Sequence, residues 1–310
     1  MRSPFPTRRS EVAALLLASL LTLTACAERP AEAAITNTAP DEVLTGPQGS
    51  KGQFVVECSL DHLGSDDPIV HPGHEGMSHL HQFFGAVGVD ANSQAADLEG
   101  GATTCEQSSD TAAYWAPALL NDGEPVRAIR SVAYYRAGVG VDPQDVSDFP
   151  DGLMLIGGDS GATSPQSLAV AAWSCGTGGV RSATPLDCSD APSLRMLVTY
   201  PDCWNGTELA SSDWHDPAKR HAVYSEGGVC PASYPVHIPQ LQFAIDYAPV
   251  PADQLDNLTL SSGDIHSAHA DFWNTWDQAK LRHEVAQCIR RDLVCNVSSS
   301  KRMQSFPEMP

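Results

Sequence analysis

The chain has 310 residues, and 42% of them are hydrophobic, enough for a sizeable buried core in one large domain or two ordinary ones. Its formal net charge of −20 argues against nucleic acid or an anionic membrane surface as a partner. Such a balance suits a soluble surface and a bound cation.

The chain starts basic, with Arg2, Arg8 and Arg9. Val12 to Leu23 is then apolar but too short for a comfortable membrane span. The run ends in Leu23-Thr24-Ala25-Cys26, which resembles the bacterial lipobox. On that reading residues 1–25 are a lipoprotein signal peptide and Cys26 carries lipid after cleavage. The mature protein is then extracytoplasmic and anchored to the membrane without a spanning helix. An ordinary signal peptide, with Cys26 incidental, is the alternative.

Nine cysteines are present, and setting Cys26 aside leaves an even number. Widely spread cysteines in an exported chain read as disulfides. Pairing in sequence order is the working expectation: Cys58–Cys105, Cys175–Cys188, Cys203–Cys230 and Cys288–Cys295. A thiolate zinc site is disfavoured, because no two cysteines have the two-residue spacing such sites use.

Residues 26–50 are rich in Ala, Thr, Pro, Glu and Gly and read as a flexible tether. Order begins with a strand at Gln53 to Cys58. The stretch from Asp66 to Gly85 follows and carries His71, His74, His79 and His81. Asn92 to Thr104 is small and polar, a loop. Tyr114 to Leu120 is apolar, but Pro117 argues against a helix interior, so an extended buried segment is expected. Asn121-Asp122-Gly123 signals a turn. Strands are predicted within Val126 to Arg136, Leu153 to Ile156, Leu168 to Cys175 and Leu194 to Tyr200.

Pro239 to Tyr247 alternates most cleanly and predicts a half-buried strand, with His237 on its inner face if the strand runs back through Pro239. One helix is predicted over Thr275 to Arg291, opened by a Thr275-x-x-Gln278 capping box. Residues 298–310 read as a disordered tail. The fold class is mainly β: one disulfide-stapled, sandwich-like domain over 51–297, with long loops and a C-terminal helix.

His79 and His81 are two apart, so on a strand both point to one face. His221, His237, and His269 with Asp271 are further candidates to join them. Such a set suits zinc or copper, with His79 and His81 as metal ligands. It suits a metal-free acid–base site equally, with His79, His81, His237, His269 and Asp271 as catalytic groups. Histidines satisfied within the core are the third reading. His71 and His74 flank Pro72-Gly73 and read as lining an approach.

The carboxylates Asp66, Asp159, Asp202 and Asp271 offer a rival, since a suitably spaced pair supports glycoside hydrolysis. Asp66, Tyr114, Trp115, Trp204 and His221 are then the substrate-binding candidates. No nucleophile elbow, phosphate loop or dinucleotide fingerprint is present.

Several segments in order resemble a known family. They are Asp67-Pro68-Ile69-Val70, Ser78-His79-Leu80-His81 with Gly85, Tyr114-Trp115-x-Pro117 and Gly158-Asp159. Further on come Trp173-x-Cys175, Pro201-Asp202-Cys203-Trp204-Asn205-Gly206, His221-x-x-Tyr224, Cys230-Pro231 and Pro235-Val236-x-Ile238-Pro239. The last is His269-x-Asp271-Phe272-x-x-x-Trp276. Together they resemble the secreted domain-of-unknown-function family numbered nineteen ninety-six, from about Phe54 to Cys295. Alanine stands at 270 where glycine is expected, and the segment between Gly73 and Ser78 is acidic. The resemblance implies a secreted β-rich domain with no settled activity. It also strengthens His79, His81, His221, His237, His269 and Asp271 as one cluster.

The function expected from sequence is an extracytoplasmic, lipid-anchored domain with a histidine-lined pocket. It either acts on cell-wall or environmental polysaccharide, as a hydrolase or lyase, or binds metal or glycan without catalysis.

Overall fold

The computed structural model describes residue 44 and residues 48–295. The signal segment, Cys26, most of the tether and the C-terminal tail lie outside the described residues.

Two sheets carry the fold. The larger has six strands in the order Val294–Cys295, Gln53–Cys58, Arg130–Arg136, Gln240–Tyr247, Leu194–Thr199 and Ala171–Cys175. The smaller has five, in the order Leu60–Gly64, His81–Gly85, Ala113–Pro117, His269–Trp273 and Met154–Gly158. Alternation along each strand sends one set of side chains between the sheets. Phe54, Val56, Tyr135, Phe243 and Ile245 come from the larger sheet, and Phe84, Tyr114, Leu155 and Phe272 from the smaller. Tyr114 lies parallel to Phe243 at 5.3 Å, and Phe84 meets Phe243 edge-on at 5.7 Å. The architecture is mainly β and sandwich-like, as expected.

The strand Gln240–Tyr247 is buried on both faces rather than half-buried. It lies inside the six-stranded sheet, and its outer face is covered as well. There Ala244 packs with Val55, Val132, Tyr134 and Leu197. Beside them Asp246 takes Arg195 through two hydrogen bonds of 2.6 and 2.8 Å and Arg130 through a third of 2.9 Å. Burial alone would raise the Asp246 carboxyl, but the two guanidinium groups outweigh it and hold the group below its usual range.

Asp122 and Gly123 both have positive φ, 50° and 83°, and close the hairpin between Leu119–Asn121 and Glu124–Pro125. That is the two-residue turn whose twist matches its strands. The 92–104 loop contains one short helix, Ala95–Leu98.

The late helix differs from its prediction. It runs Gln278–Glu284 and continues as a π-helical turn, Val285–Ile289. Its N-cap is Asp277, whose carboxylate accepts from Lys280 N at 2.8 Å. Thr275 is two residues too early to cap it. Its hydroxyl is buried and donates instead to Thr111 O at 2.6 Å.

All four disulfides join the cysteines in sequence order: Cys58–Cys105, Cys175–Cys188, Cys203–Cys230 and Cys288–Cys295. Such bridges belong to an oxidising, extracytoplasmic compartment. Among the described residues, no helix is long and apolar enough to cross a membrane. At the end of the stretch read as tether, Leu44 is buried and its carbonyl accepts from Arg181 N at 2.9 Å. Ser50 N likewise donates to Ala137 O at 3.1 Å.

Between the sheets Asp110 is fully buried, accepting from Tyr114 Oη at 2.8 Å and Ala112 N at 3.1 Å. Burial outweighs those bonds and pushes its carboxyl up to about 8. The native state therefore holds a proton that the unfolded chain releases near pH 4. Stability drawn from this group falls as pH rises from about 4 to about 8. Asp110→Asn should remove that component, so urea unfolding should show a smaller loss between pH 5 and pH 8 than in the parent. Parallel losses in the two proteins would exclude Asp110 as its source.

Candidate metal centre

The outer face of the five-stranded sheet is built in rows. His81 pairs with Pro117, and Phe83 with Trp115. Asp271 pairs with Trp115, and the same register brings His269 level with Pro117. His269 pairs in turn with Gly158 on the edge strand. Two histidines thus stand on either side of a proline in one row. Their strands are roughly 10 Å apart, yet the rings converge above Pro117 to a centroid separation of 6.0 Å. Gly158 keeps the row tight. Its φ is +79°, and a β-carbon there would lie 2.4 Å from Ala268 O and 2.9 Å from the His269 α-carbon.

His79 precedes the strand and closes the group. Its ring centroid is 4.2 Å from His81 and 5.0 Å from His269. One ring nitrogen from each of the three lies within 4.8 Å of the others. The rings of His81 and His269 are pinned from behind. His81 Nδ1 is 2.9 Å from Asp66 O, and His269 Nδ1 is 2.9 Å from Ser267 O. A carbonyl only accepts, so each Nδ1 carries the proton and each Nε2 keeps a lone pair. This outer hydrogen bond is the one metal-ligating histidines use to fix ring and tautomer. His79 Nε2 and His81 Nε2 are buried without a hydrogen-bond partner.

Electrostatics favour neutral rings. Burial, with His269 and His71 nearby, lowers His79 to about 4. Burial, with His79 and His269 adding, takes His81 well below its ordinary value. His269 is lowered to about 4 by burial, against the pull of the Ser267 carbonyl and Asp159. At neutral pH all three present uncharged nitrogen, the form that binds metal.

Two carboxylates adjoin them. Asp67 reaches in from the loop, with Oδ1 accepting from Ile69 N at 3.0 Å and Val70 N at 2.9 Å. Asp271 is buried, and neither of its oxygens has a partner. Ligand atoms of Asp67, His81 and Asp271 lie within 4.8 Å of one another. Burial raises Asp67 to about 6, and burial with Asp67 close by raises Asp271 well above its usual value.

The structure brings together His79, His81, His269 and Asp271 among the residues singled out from sequence. It leaves the others apart. His237 is in a separate three-stranded sheet, paired with Cys203, and its Nδ1 lies 3.1 Å from Cys230 Sγ. The predicted extension through Pro239 fails because Ile238 N turns to Asp202 O at 3.0 Å and the long strand starts only at Gln240. His221 is buried, its Nδ1 3.0 Å from Ser211 Oγ and its ring against Trp214.

Tyr114 and Trp115 are fully buried, so neither offers a face to substrate. Trp204 is half-buried and donates to Glu208 O at 2.6 Å, beside His237 in the small sheet. Asp66 accepts from Gly76 N at 2.8 Å through its side chain, and holds His81 through its carbonyl. Asp159 holds a turn by accepting from Gly161 N, and Asp202 ties two segments together by accepting from Ser225 N and Oγ.

Two members were missed. Asp67 opens a turn, which hid it as an ordinary capping residue. His71 was read as lining the approach. Its amide donates to Asp67 O at 2.9 Å, which folds the loop back, and its ring acts electrostatically on Asp67, His79 and His81.

A buried carboxylate without partners is costly, by about 1–3 kcal/mol or more. In chelator-treated protein, Asp271→Asn should therefore raise the urea midpoint, and by more at pH 8 than at pH 5. The sign follows from a native carboxyl held above its unfolded value, which destabilises increasingly as pH rises. An unchanged or lower midpoint would mean that Asp271 has a compensating partner.

A family profile described as Domain of unknown function (DUF1996) matches residues 67–276. No curated protein and no solved structure matches the chain.

Proposed function

The chain belongs to the DUF1996 family, and we propose that it is an extracytoplasmic metal-binding protein that holds zinc or copper at His79, His81 and His269. One observation carries this reading. Three neutral imidazoles converge within 4.8 Å, and two of them are oriented by Nδ1 bonds to backbone carbonyls. Imidazole nitrogen is a preferred ligand of both metals. Three protein ligands leave a coordination position open, as in sites that exchange water or a small ligand.

His81 and His269 are buried while His79 is half-buried, so access is from the His79 side. Nothing at the cluster favours a polysaccharide ligand, since Tyr114 and Trp115 are core residues and Trp204 is elsewhere. The binding alternative therefore stands ahead of glycan cleavage.

Anchoring belongs to the same proposal. The Leu23-Thr24-Ala25-Cys26 segment supports lipid on Cys26. Cys26→Ser should move the protein from the membrane fraction to the soluble fraction, and continued membrane association would refute a lipid anchor at Cys26.

Metal binding is read as thermal stabilisation of the chelated protein. Zinc at a hundredfold excess over its dissociation constant adds about 2.7 kcal/mol. His79→Ala and His269→Ala should abolish the zinc-dependent rise in Tm, and His237→Ala should retain it. A rise that survives in both His79→Ala and His269→Ala, or is lost in His237→Ala, would overturn the assignment.

A further inference from the structure

The candidate ligand atoms form two sets that share His81. One is His79, His81 and His269; the other is Asp67, His81 and Asp271. The first is all nitrogen and accounts for a zinc or copper ion. It gives no role to the two carboxylates grouped with the shared histidine.

Asp271 is 1% exposed and Asp67 is 4% exposed. Both oxygens of Asp271 are buried with no partner. Asp67 gives Oδ1 to two backbone amides, which leaves Oδ2 for another contact. Among the described residues, no arginine or lysine forms an ion pair with either carboxylate. Two buried carboxyls this close cannot both ionise unless a cation offsets their repulsion and their burial.

We infer that Asp67 and Asp271 form a second cation position beside the histidine set, so that the centre takes two divalent ions. This inference rests on the metal reading proposed above. The second position is richer in oxygen, and carboxylate with water suits a harder ion such as Mn2+. His81 has one free ring nitrogen, because Nδ1 is committed to Asp66 O. It therefore serves the zinc or copper ion, and Asp67 Oδ2 with the two unpartnered oxygens of Asp271 serves the second position.

The test is cation stoichiometry on the full chain after chelation, loaded first with one equivalent of zinc and then titrated with Mn2+. Bound metal is counted by elemental analysis, and free Mn2+ is followed by its magnetic resonance signal. The wild type should retain one zinc and bind one Mn2+. Asp271→Asn and Asp67→Asn should keep the zinc and weaken Mn2+ at least tenfold. Saturation of the wild type at one zinc, with no Mn2+ bound, would overturn the second position and leave the histidine site standing. So would Mn2+ binding that is unchanged in both variants. Failure to bind either ion would overturn the histidine site as well. The wild-type count needs no variant, so misfolding of a variant does not leave the question open.

Discussion

The site depends on a convergence across strands: His81 and His269 lean over Pro117 and are fixed there by bonds to Asp66 O and Ser267 O. Pro117 stands between the two histidines in the row. It has no amide hydrogen and keeps a low, rigid ring between the two taller ones. With the row so arranged, His79 needs only to lie beside His81 to complete three nitrogens. Burial then does the rest, because it keeps the imidazoles uncharged and their lone pairs free.

The remainder of the fold supplies the platform. Aromatic packing between the sheets fixes the inner face of the strands bearing His81, His269 and Asp271. Period-two alternation then determines what the outer face can carry. Four disulfides staple the loops that these short strands leave long. The loop from Asp66 folds over the outer face, tied by Gly76 N to Asp66 and by Gly73 N to Ala91 O. It contributes Asp67 and His71 from above, where the strands contribute His81, His269 and Asp271 from below.

Much of this was legible in the sequence, for physical reasons. The i, i+2 spacing of His79 and His81 predicted a shared strand face; the strand begins only at His81, yet the two rings are neighbours. Asp271 follows His269 by the same spacing, and both belong to the outer face. Sequence order suggested the disulfide pairing without deciding it, and the four bridges follow that order, with separations from 7 to 47 residues. Other features were hidden. His237 has the parity of the long strand, but parity carries no information once Pro239 separates two sheets. Tyr114 and Trp115 look like a sugar platform until the strand is found buried on both faces. Asp67 and His71 have the signature of a turn, and a turn residue's reach depends on how the loop folds back.

X-ray absorption at the zinc edge, on protein carrying one equivalent of zinc, tests the central claim most directly. The account predicts a first shell dominated by nitrogen at about 2.0–2.1 Å, with the outer-ring scattering of three imidazoles. A sulfur shell at about 2.3 Å, or a shell of oxygen without imidazole scattering, would contradict it.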